Sequence, residues 1–179
     1  MKRLLLSFAV VGLAANSSFG QAAGTVVTFD SARVTAGDAL PGSNAVVTVS
    51  FKIQPGYYLH SNRPTIQRAT PTTIQAGMLG ATRTFPPAYS TPGPKTIPGS
   101  AQPVMVYEGG LAAQVPVVIA PNATFPITLP GLIAYAPVNG KTHAAGRLEQ
   151  VRFTFTIPRG TNAPPVTPKV PAANPKKKK

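Results

Sequence analysis

The sequence contains no cysteine among its 179 residues. Without a thiol the chain forms no internal disulfide, and it supplies neither a thiolate nucleophile nor a thiolate ligand for a metal. Small exported domains commonly depend on disulfides for their stability. A cysteine-free chain must instead be stabilised by buried apolar side chains and backbone hydrogen bonds.

Acidic residues are also scarce, and the chain has only four: Asp30, Asp38, Glu108 and Glu149. No two of them are close in sequence, whereas the hydrolysis of glycosides needs two opposed carboxyl groups. The Gly-x-Ser-x-Gly pattern that carries the nucleophile of many serine hydrolases is missing as well. We therefore expect that the protein is not an enzyme.

The 17 basic residues give the chain a formal net charge of +13. When Lys2, Arg3 and the five lysines of the C-terminal tail are left out, ten basic and four acidic residues remain, a net charge of +6. A basic surface favours anionic partners such as acidic proteins or lipid headgroups. Nucleic acid is not expected as a partner, because the basic residues are not interleaved with aromatic residues that stack on bases.

The N-terminus has the parts of an export signal. Lys2 and Arg3 precede the apolar stretch 4–15, and small residues follow it, so that cleavage is expected after Gly20 or Ala22. The apolar stretch is shorter than the roughly 20 residues that span a bilayer, which disfavours the alternative of a membrane anchor. We therefore expect a cleaved signal peptide and a periplasmic or secreted protein.

The rest of the chain has the pattern of short β-strands. Apolar and polar residues alternate in 44–53 and in 151–157, and no stretch has the period of a helix. A long irregular segment, 86–103, is rich in proline and is expected to be a loop. The predicted strands are 25–36, 44–53, 57–60, 72–77, 81–86, 104–109, 111–120, 124–136 and 147–158, with 72–77 and 81–86 expected to pair.

This succession of short strands and turn signals predicts an all-β fold, an immunoglobulin-like antiparallel β-sandwich. The predicted organisation is a signal peptide (1–22), a sandwich domain (23–158) and a disordered tail rich in proline and lysine (159–179). The tail is expected to add weak attraction to anionic membrane surfaces.

One hairpin stands out late in the chain, in the stretch AYAPVNGKTHAAG (134–146). Its Asn139 and Gly140 both tolerate positive φ, which predicts a tight turn between two strands. The tip is expected to project a histidine, a lysine and a tyrosine but carries no residue with evident catalytic chemistry.

Four stretches together resemble a known family, the N-terminal domain of the thiol:disulfide interchange protein DsbD, also called the disulfide bond corrector (DsbC-like) domain. They are VTVSFKIQPGYYLHSNRPT (47–65), FPPAYSTPGPKTIPG (85–99), VMVYEGGLAAQVPVVIA (104–120) and LPGLIAYAPVNGKTH (129–143). The resemblance implies an immunoglobulin-like sandwich in the bacterial periplasm. It also implies a hairpin whose two cysteines pass reductant from a membrane-embedded partner to thioredoxin-like proteins.

The resemblance places Tyr135 and Asn139 on the family's redox hairpin. The first cysteine position is Val138 and the second is His143, or Thr142 if the turn differs by one residue. Since both thiols are replaced, the chain is not competent for thiol–disulfide exchange.

The family's aromatic residues beside the cysteines correspond to Tyr58 and His60, and its capping loop to the region around Tyr89. The residues predicted to form a binding surface are Tyr58, His60, Tyr89, Tyr135 and Asn139. Tyr107 is expected in the core.

These features lead to two hypotheses, beside the plainer possibility of a structural domain without a specific ligand. The first is an exported, non-redox protein-binding module that docks a periplasmic or membrane protein through the loops 58–60, 86–103 and 135–143, which carry these residues. The alternative is a periplasmic metal-handling protein in which His60 and His143 bind copper, nickel or zinc, with a third ligand from Glu108 or a partner. No cofactor and no established metal site are predicted.

Overall fold

The computed structural model describes residues 25–80 and 82–160. The predicted signal peptide and almost all of the predicted tail lie outside these residues. Every regular element in the described part of the chain is a β-strand. No helix within it is long and apolar enough to cross a membrane.

The strands form three antiparallel sheets. Numbered along the chain, the strands are β1 (Val27–Gly37), β2 (Asn44–Ile53), β3 (Tyr57–His60), β4 (Thr73–Ala76), β5 (Arg83–Thr84), β6 (Ala88–Tyr89), β7 (Gly93–Lys95), β8 (Val104–Glu108), β9 (Gly110–Val118), β10 (Ile127–Tyr135), β11 (Pro137–Asn139) and β12 (Glu149–Ile157). In the first sheet β1 pairs with β2 and β2 with β9, and both β5 and β6 pair with β9. The second sheet has the order β12-β10-β4, and the third has the order β11-β3-β8-β7.

The main core lies between the first and second sheets. Alternate residues of β2 and β12 point into it, as the alternation in the sequence predicts, and the intervening residues point outward. Burying one face of each sheet removes apolar side chains from water, which is the dominant favourable term in folding. The all-β, immunoglobulin-like antiparallel sandwich is thereby confirmed. The buried residues that represent the two facing sheets are Val47, Val49, Phe51, Ile53, Leu129, Ile133, Val151, Phe155 and Ile157.

The predicted pairing of 72–77 with 81–86 is wrong. Instead β4 pairs with β10 and β5 pairs with β9. The two segments are connected by the bridge between Leu79 and Thr82 and by hydrogen bonds from Thr84 Oγ1 to the carbonyls of Ala76 (2.7 Å) and Gly77 (3.4 Å). The long strands β9 and β10 provide more backbone hydrogen-bonding groups for pairing than the two short strands provide for each other. Pairing with β10 also buries Ile74 in the main core.

The proline-rich segment 86–103 is not wholly irregular, which corrects the prediction of a loop. It contains β6, paired with β9, and β7, paired with β8. Both are short edge strands, the position in a sheet where proline and glycine are tolerated. The segment thus links the first sheet to the third.

Candidate functional site

The third sheet has a small apolar cluster of its own, separate from the main core. Four residues are buried in it: Tyr58, Val104, Val106 and Val138. Ile66 and Ile97 pack against it from two connecting segments. The pairing of Tyr58 with Val138 places β3 beside β11. One of the two positions that the resemblance assigns to a cysteine is therefore occupied by a buried valine.

The hairpin after β11 is wider than the tight turn that Asn139 and Gly140 predict. The Asn139 side chain closes a wider loop, because its Oδ1 accepts hydrogen bonds from the backbone N–H groups of Lys141 (2.9 Å) and Thr142 (3.0 Å). The His143 N–H donates to the Asn139 carbonyl at 2.9 Å, and His143 itself has the positive φ, 55°. Asn139 is therefore held inside the turn by its own hydrogen bonds and fixes where His143 lies.

An open pocket of about 1010 Å³ lies over this cluster. Tyr58, His60, Val138 and His143 line it on one side, and the segments 66–70 and 97–101 form the remaining walls together with residues next to the hairpin. Both predicted former cysteine positions and both histidines of the chain therefore border a single pocket. We call it the hairpin pocket.

Tyr58 lies between the two histidines. Its hydroxyl is 3.4 Å from His143 Nδ1, and its ring meets the His60 ring edge-on at 6.0 Å between centroids. Lys95 Nζ lies 5.2 Å from the centre of the Tyr58 ring and forms an ion pair with Glu108 at 3.0 Å. Burial, and secondarily the nearby Glu108 carboxylate, raise the pKa of Tyr58 above its usual value, so the phenol is neutral at pH 7.

His60 is buried, with 7% of its surface exposed, and its Nδ1 has no hydrogen-bond partner. Burial lowers the pKa of His60 below its ordinary 6.5, so its imidazole is neutral at pH 7. An unpartnered buried polar atom costs stability, in the order of 1–3 kcal/mol. The third sheet therefore gains nothing from having a polar atom at this position.

Tyr135 does not belong to the binding surface, which corrects the prediction. It is fully buried in the main core. Its hydroxyl donates to Glu149 Oε2 at 2.6 Å and accepts the backbone N–H of Val27 at 3.2 Å. Tyr135 lies at the end of β10, where the alternation of the strand turns its side chain inward. Burial, followed by the carboxylate of Glu149, raises the pKa of Tyr135 far above its usual value.

Tyr58 is fully buried too, so it lines the hairpin pocket without projecting from the surface. Tyr89 lies half-buried in β6, and its hydroxyl accepts the backbone N–H of Ile74 at 2.7 Å. Tyr89 does not line the hairpin pocket, so the structure does not place it as a cap. Tyr107 is in the core, as predicted, and donates to Asn62 Oδ1 at 3.0 Å.

A third metal ligand does not accompany the two histidines. Within 25–80 and 82–160, no group of three or more histidine, cysteine, aspartate or glutamate side chains is close enough to hold a metal ion. The predicted third ligand, Glu108, is engaged by Lys95 through both carboxylate oxygens. The metal hypothesis therefore depends on two imidazoles and an outside ligand.

Sequence reasoning missed one wall of the pocket, the segment 66–70, whereas the other wall, 97–101, lies within the predicted docking loop 86–103. The segment IQRAT (66–70) contains Arg68, which has a φ of 66° and an exposed side chain at the pocket. A non-glycine residue with positive φ is uncommon. The segment IPGSA (97–101) carries a Pro-Gly turn signal, which marks a turn but does not indicate what it faces.

The structure thus defines a cysteine-free antiparallel β-sandwich with one open pocket at its hairpin end. No family model matches the chain, and neither does any curated protein. Two solved structures are similar to it. One is the N-terminal domain of DsbD from Neisseria meningitidis in the reduced form, with 15% identity over 73% of this chain and 86% of that one and a TM-score of 0.42. The other is the N-terminal periplasmic domain of ScsB from Proteus mirabilis, with 11% identity over 72% of this chain and a TM-score of 0.42; this chain spans 47% of its length.

Proposed function

We propose that this protein is an exported, non-redox protein-binding module with no catalytic activity, and that it docks its partner at the hairpin pocket. The observation that carries the proposal is the pocket itself, a concave site with an apolar floor and a few converging polar groups. The chain has no thiol to offer at this place. Binding is therefore the role that remains for a site of this shape.

The charge of the domain supports a protein partner with acidic character. Ten basic and four acidic residues lie in the described part of the chain. Two of the four carboxylates, Asp30 and Glu108, are already paired with lysines. The lysine-rich tail, 169–179, adds weak attraction to anionic surfaces nearby, an effect that salt screens.

Export is expected to leave a new N-terminus on the mature protein. The n-region and apolar stretch of residues 2–15 direct secretion, and the small residues after them admit signal peptidase. N-terminal sequencing of protein released by osmotic shock should begin at Gln21 or Ala23. Protein that keeps Met1 and stays in the cytoplasmic or membrane fraction would show that the export proposal is wrong.

Docking at the hairpin pocket is expected to give a position-specific crosslink in cells. A photoreactive benzoylphenylalanine at Gln67 or Ala101, both exposed at the pocket, should give a discrete adduct with another protein after irradiation. Thr154, exposed on the outer face of β12, is the matched control position and should give none.

Two results would contradict docking at this pocket. One is a lack of adducts from Gln67 and Ala101 in protein that is folded and exported. The other is the same set of adducts from all three positions, which would indicate random collision. The control at Thr154 separates these results, because it lies on a strand that does not border the pocket.

A further inference from the structure

The hairpin pocket is cationic at its rim and has no acidic residue in its lining. Arg68 is the charged side chain that lines it, and neither of the two ion pairs in the described chain uses Arg68. The nearby carboxylate of Glu108 is neutralised by Lys95 at 3.0 Å. An incoming carboxylate would therefore meet an available guanidinium and little repulsion.

His60 is the second polar group that the folded chain leaves without a partner. Its Nδ1 is buried and forms no hydrogen bond, so no protein group fixes which ring nitrogen carries the proton. The tautomer of a histidine is normally set by the hydrogen bond that its other nitrogen makes. Here the proton is free to be placed on the nitrogen that faces a ligand. The imidazole is thus suited to donate a hydrogen bond to an acceptor inside the pocket.

Apolar side chains lie beneath these two groups. Ile66, Ile97 and Val138 pack into one cluster beneath the pocket, and its volume of about 1010 Å³ is at the upper end of the range for ligand pockets. A single small anion would leave most of this apolar surface in water. An occupant with apolar groups on either side of an acceptor would cover it.

From this arrangement we infer that the hairpin pocket binds a peptide segment of the partner protein in which an acidic side chain is flanked by apolar side chains. Arg68 pairs with the carboxylate, His60 donates a hydrogen bond to it, and the flanking side chains cover Ile66, Ile97 and Val138. The inference rests on the proposed function and names the chemistry of the docked segment.

The chain's own tail is not a suitable occupant. Residues 161–179 contain five lysines and no acidic residue, so they carry the same sign of charge as the pocket rim. Like charges brought together across an interface oppose binding. The segment must therefore come from another protein.

The test is a titration of the purified protein with two peptides, acetyl-Ala-Val-Glu-Val-Ala-amide and its analogue with glutamine in place of glutamate. Because the chain has only two histidines, ¹⁵N-labelled imidazoles give NMR signals that report on His60 and His143 separately. We expect the glutamate peptide to shift the His60 signals and to bind about tenfold or more tightly than the glutamine peptide, the difference expected for a charge-assisted pair.

Three variants locate the binding energy. Arg68→Ala removes an exposed side chain and should weaken binding of the glutamate peptide about tenfold. Arg152→Ala, an exposed arginine on β12 outside this pocket, is the matched control and should bind like the unaltered protein. His60→Phe keeps an aromatic ring without nitrogen atoms and should weaken binding without unfolding the domain, which circular dichroism verifies.

Several outcomes would overturn the inference. These are equal binding of the two peptides, no effect of Arg68→Ala, no binding at all, or binding of free isovalerate as tight as that of the glutamate peptide, which would identify a small organic anion as the occupant. If neither peptide binds while photoreactive groups at Gln67 and Ala101 still crosslink a partner, the docking proposal is supported and the acidic segment is not the occupant of the pocket. If the peptide binds but no crosslink forms in cells, the docking proposal is the one that fails.

Discussion

Replacing Tyr135 by alanine is expected to lower the free energy of unfolding by about 3–5 kcal/mol, the range measured for loss of a large buried aromatic side chain. Tyr135 is fully buried between the sheets, so the change leaves a cavity and removes the hydroxyl that joins Val27 to Glu149. Since small domains are stable by about 5–15 kcal/mol, this variant is expected to be close to unfolding. Urea denaturation followed by circular dichroism measures the loss.

Tyr135→Phe separates the two contributions. It keeps the ring and removes only the oxygen, so the N–H of Val27 loses its partner in the core, and we expect a loss of about 1–3 kcal/mol. A phenylalanine variant as stable as the unaltered protein would show that the hydroxyl does not hold the sheets together. The pocket residue Arg68 is the control, because Arg68→Ala alters an exposed side chain and should change stability by less than about 0.5 kcal/mol.

Tyr135→Phe is also expected to change how the free energy of unfolding depends on pH in the alkaline range. Burial and Glu149 raise the pKa of Tyr135 above the value of 10.0 that the side chain has in an unfolded chain. Above pH 10 the unfolded state therefore loses a proton that the folded state retains, and stability falls as the pH rises. In Tyr135→Phe this part of the decline should be absent, so the difference in stability between the two proteins should narrow above pH 10.

The strands were predictable where local pattern and tertiary environment agree. In β2 and β12 every second residue is apolar, and those residues are buried in the main core. The pairing of β4 and β5 was not predictable from their own sequences, because it depends on the free edges of β9 and β10. Short strands with weak patterns pair with whichever long strand has a free edge beside them.

The location of the candidate site was predictable from the sequence, but which of its side chains are exposed was not. The resemblance brought Tyr58, His60, Val138 and His143 to one region, and all four line the hairpin pocket. Composition does not indicate which tyrosines are exposed, since a tyrosine is equally suited to a core with a satisfied hydroxyl and to an interface. Burial in the folded chain decided that question for Tyr135, whose hydroxyl has two partners.

The contribution of Arg68 could not be inferred from local sequence for a related reason. An arginine in an irregular segment is normally a solvated surface residue, and its role depends on which groups the fold places across from it. The positive φ of Arg68 is a tertiary outcome with no signature in the sequence around it. Loops lack the periodicity that assigns residues to a face, so the place of the segment 66–70 in the pocket wall became known only with the structure.

A close contact between two neighbouring strands is the basis of the second large effect. Gly131 of β10 lies opposite Phe153 of β12, and a Cβ added at Gly131 would lie 2.5 Å from Cε2 of the Phe153 ring. That ring cannot easily move away, because it stacks on Phe29 at 5.2 Å and meets Phe51 edge-on at 5.0 Å. We therefore expect Gly131→Ala to destabilise the protein by about 1–3 kcal/mol, the usual cost of overpacking a core.

Phe153→Ala alone should cost about 3–5 kcal/mol, since the ring links β12 to Phe29 and Phe51 of the facing sheet. In that background the space above Gly131 is empty, and the sign of the glycine substitution should reverse. Alanine within a strand is favoured over glycine by about 0.5–1 kcal/mol, because glycine loses more backbone entropy on folding. The double variant should therefore be more stable than Phe153→Ala.

Urea denaturation of the four proteins of this cycle measures the coupling between the two positions. A coupling energy of about 1.5 kcal/mol or more would establish that the glycine is required because the ring lies directly on the backbone of β10. Additive effects would mean that the ring adjusts to the new methyl group, and that the aromatic contacts with Phe29 and Phe51 do not hold it in place. The cycle thus tests whether β10 and β12, neighbours in one sheet, are held in register by this one glycine–phenylalanine contact or by the alternation of the two strands alone.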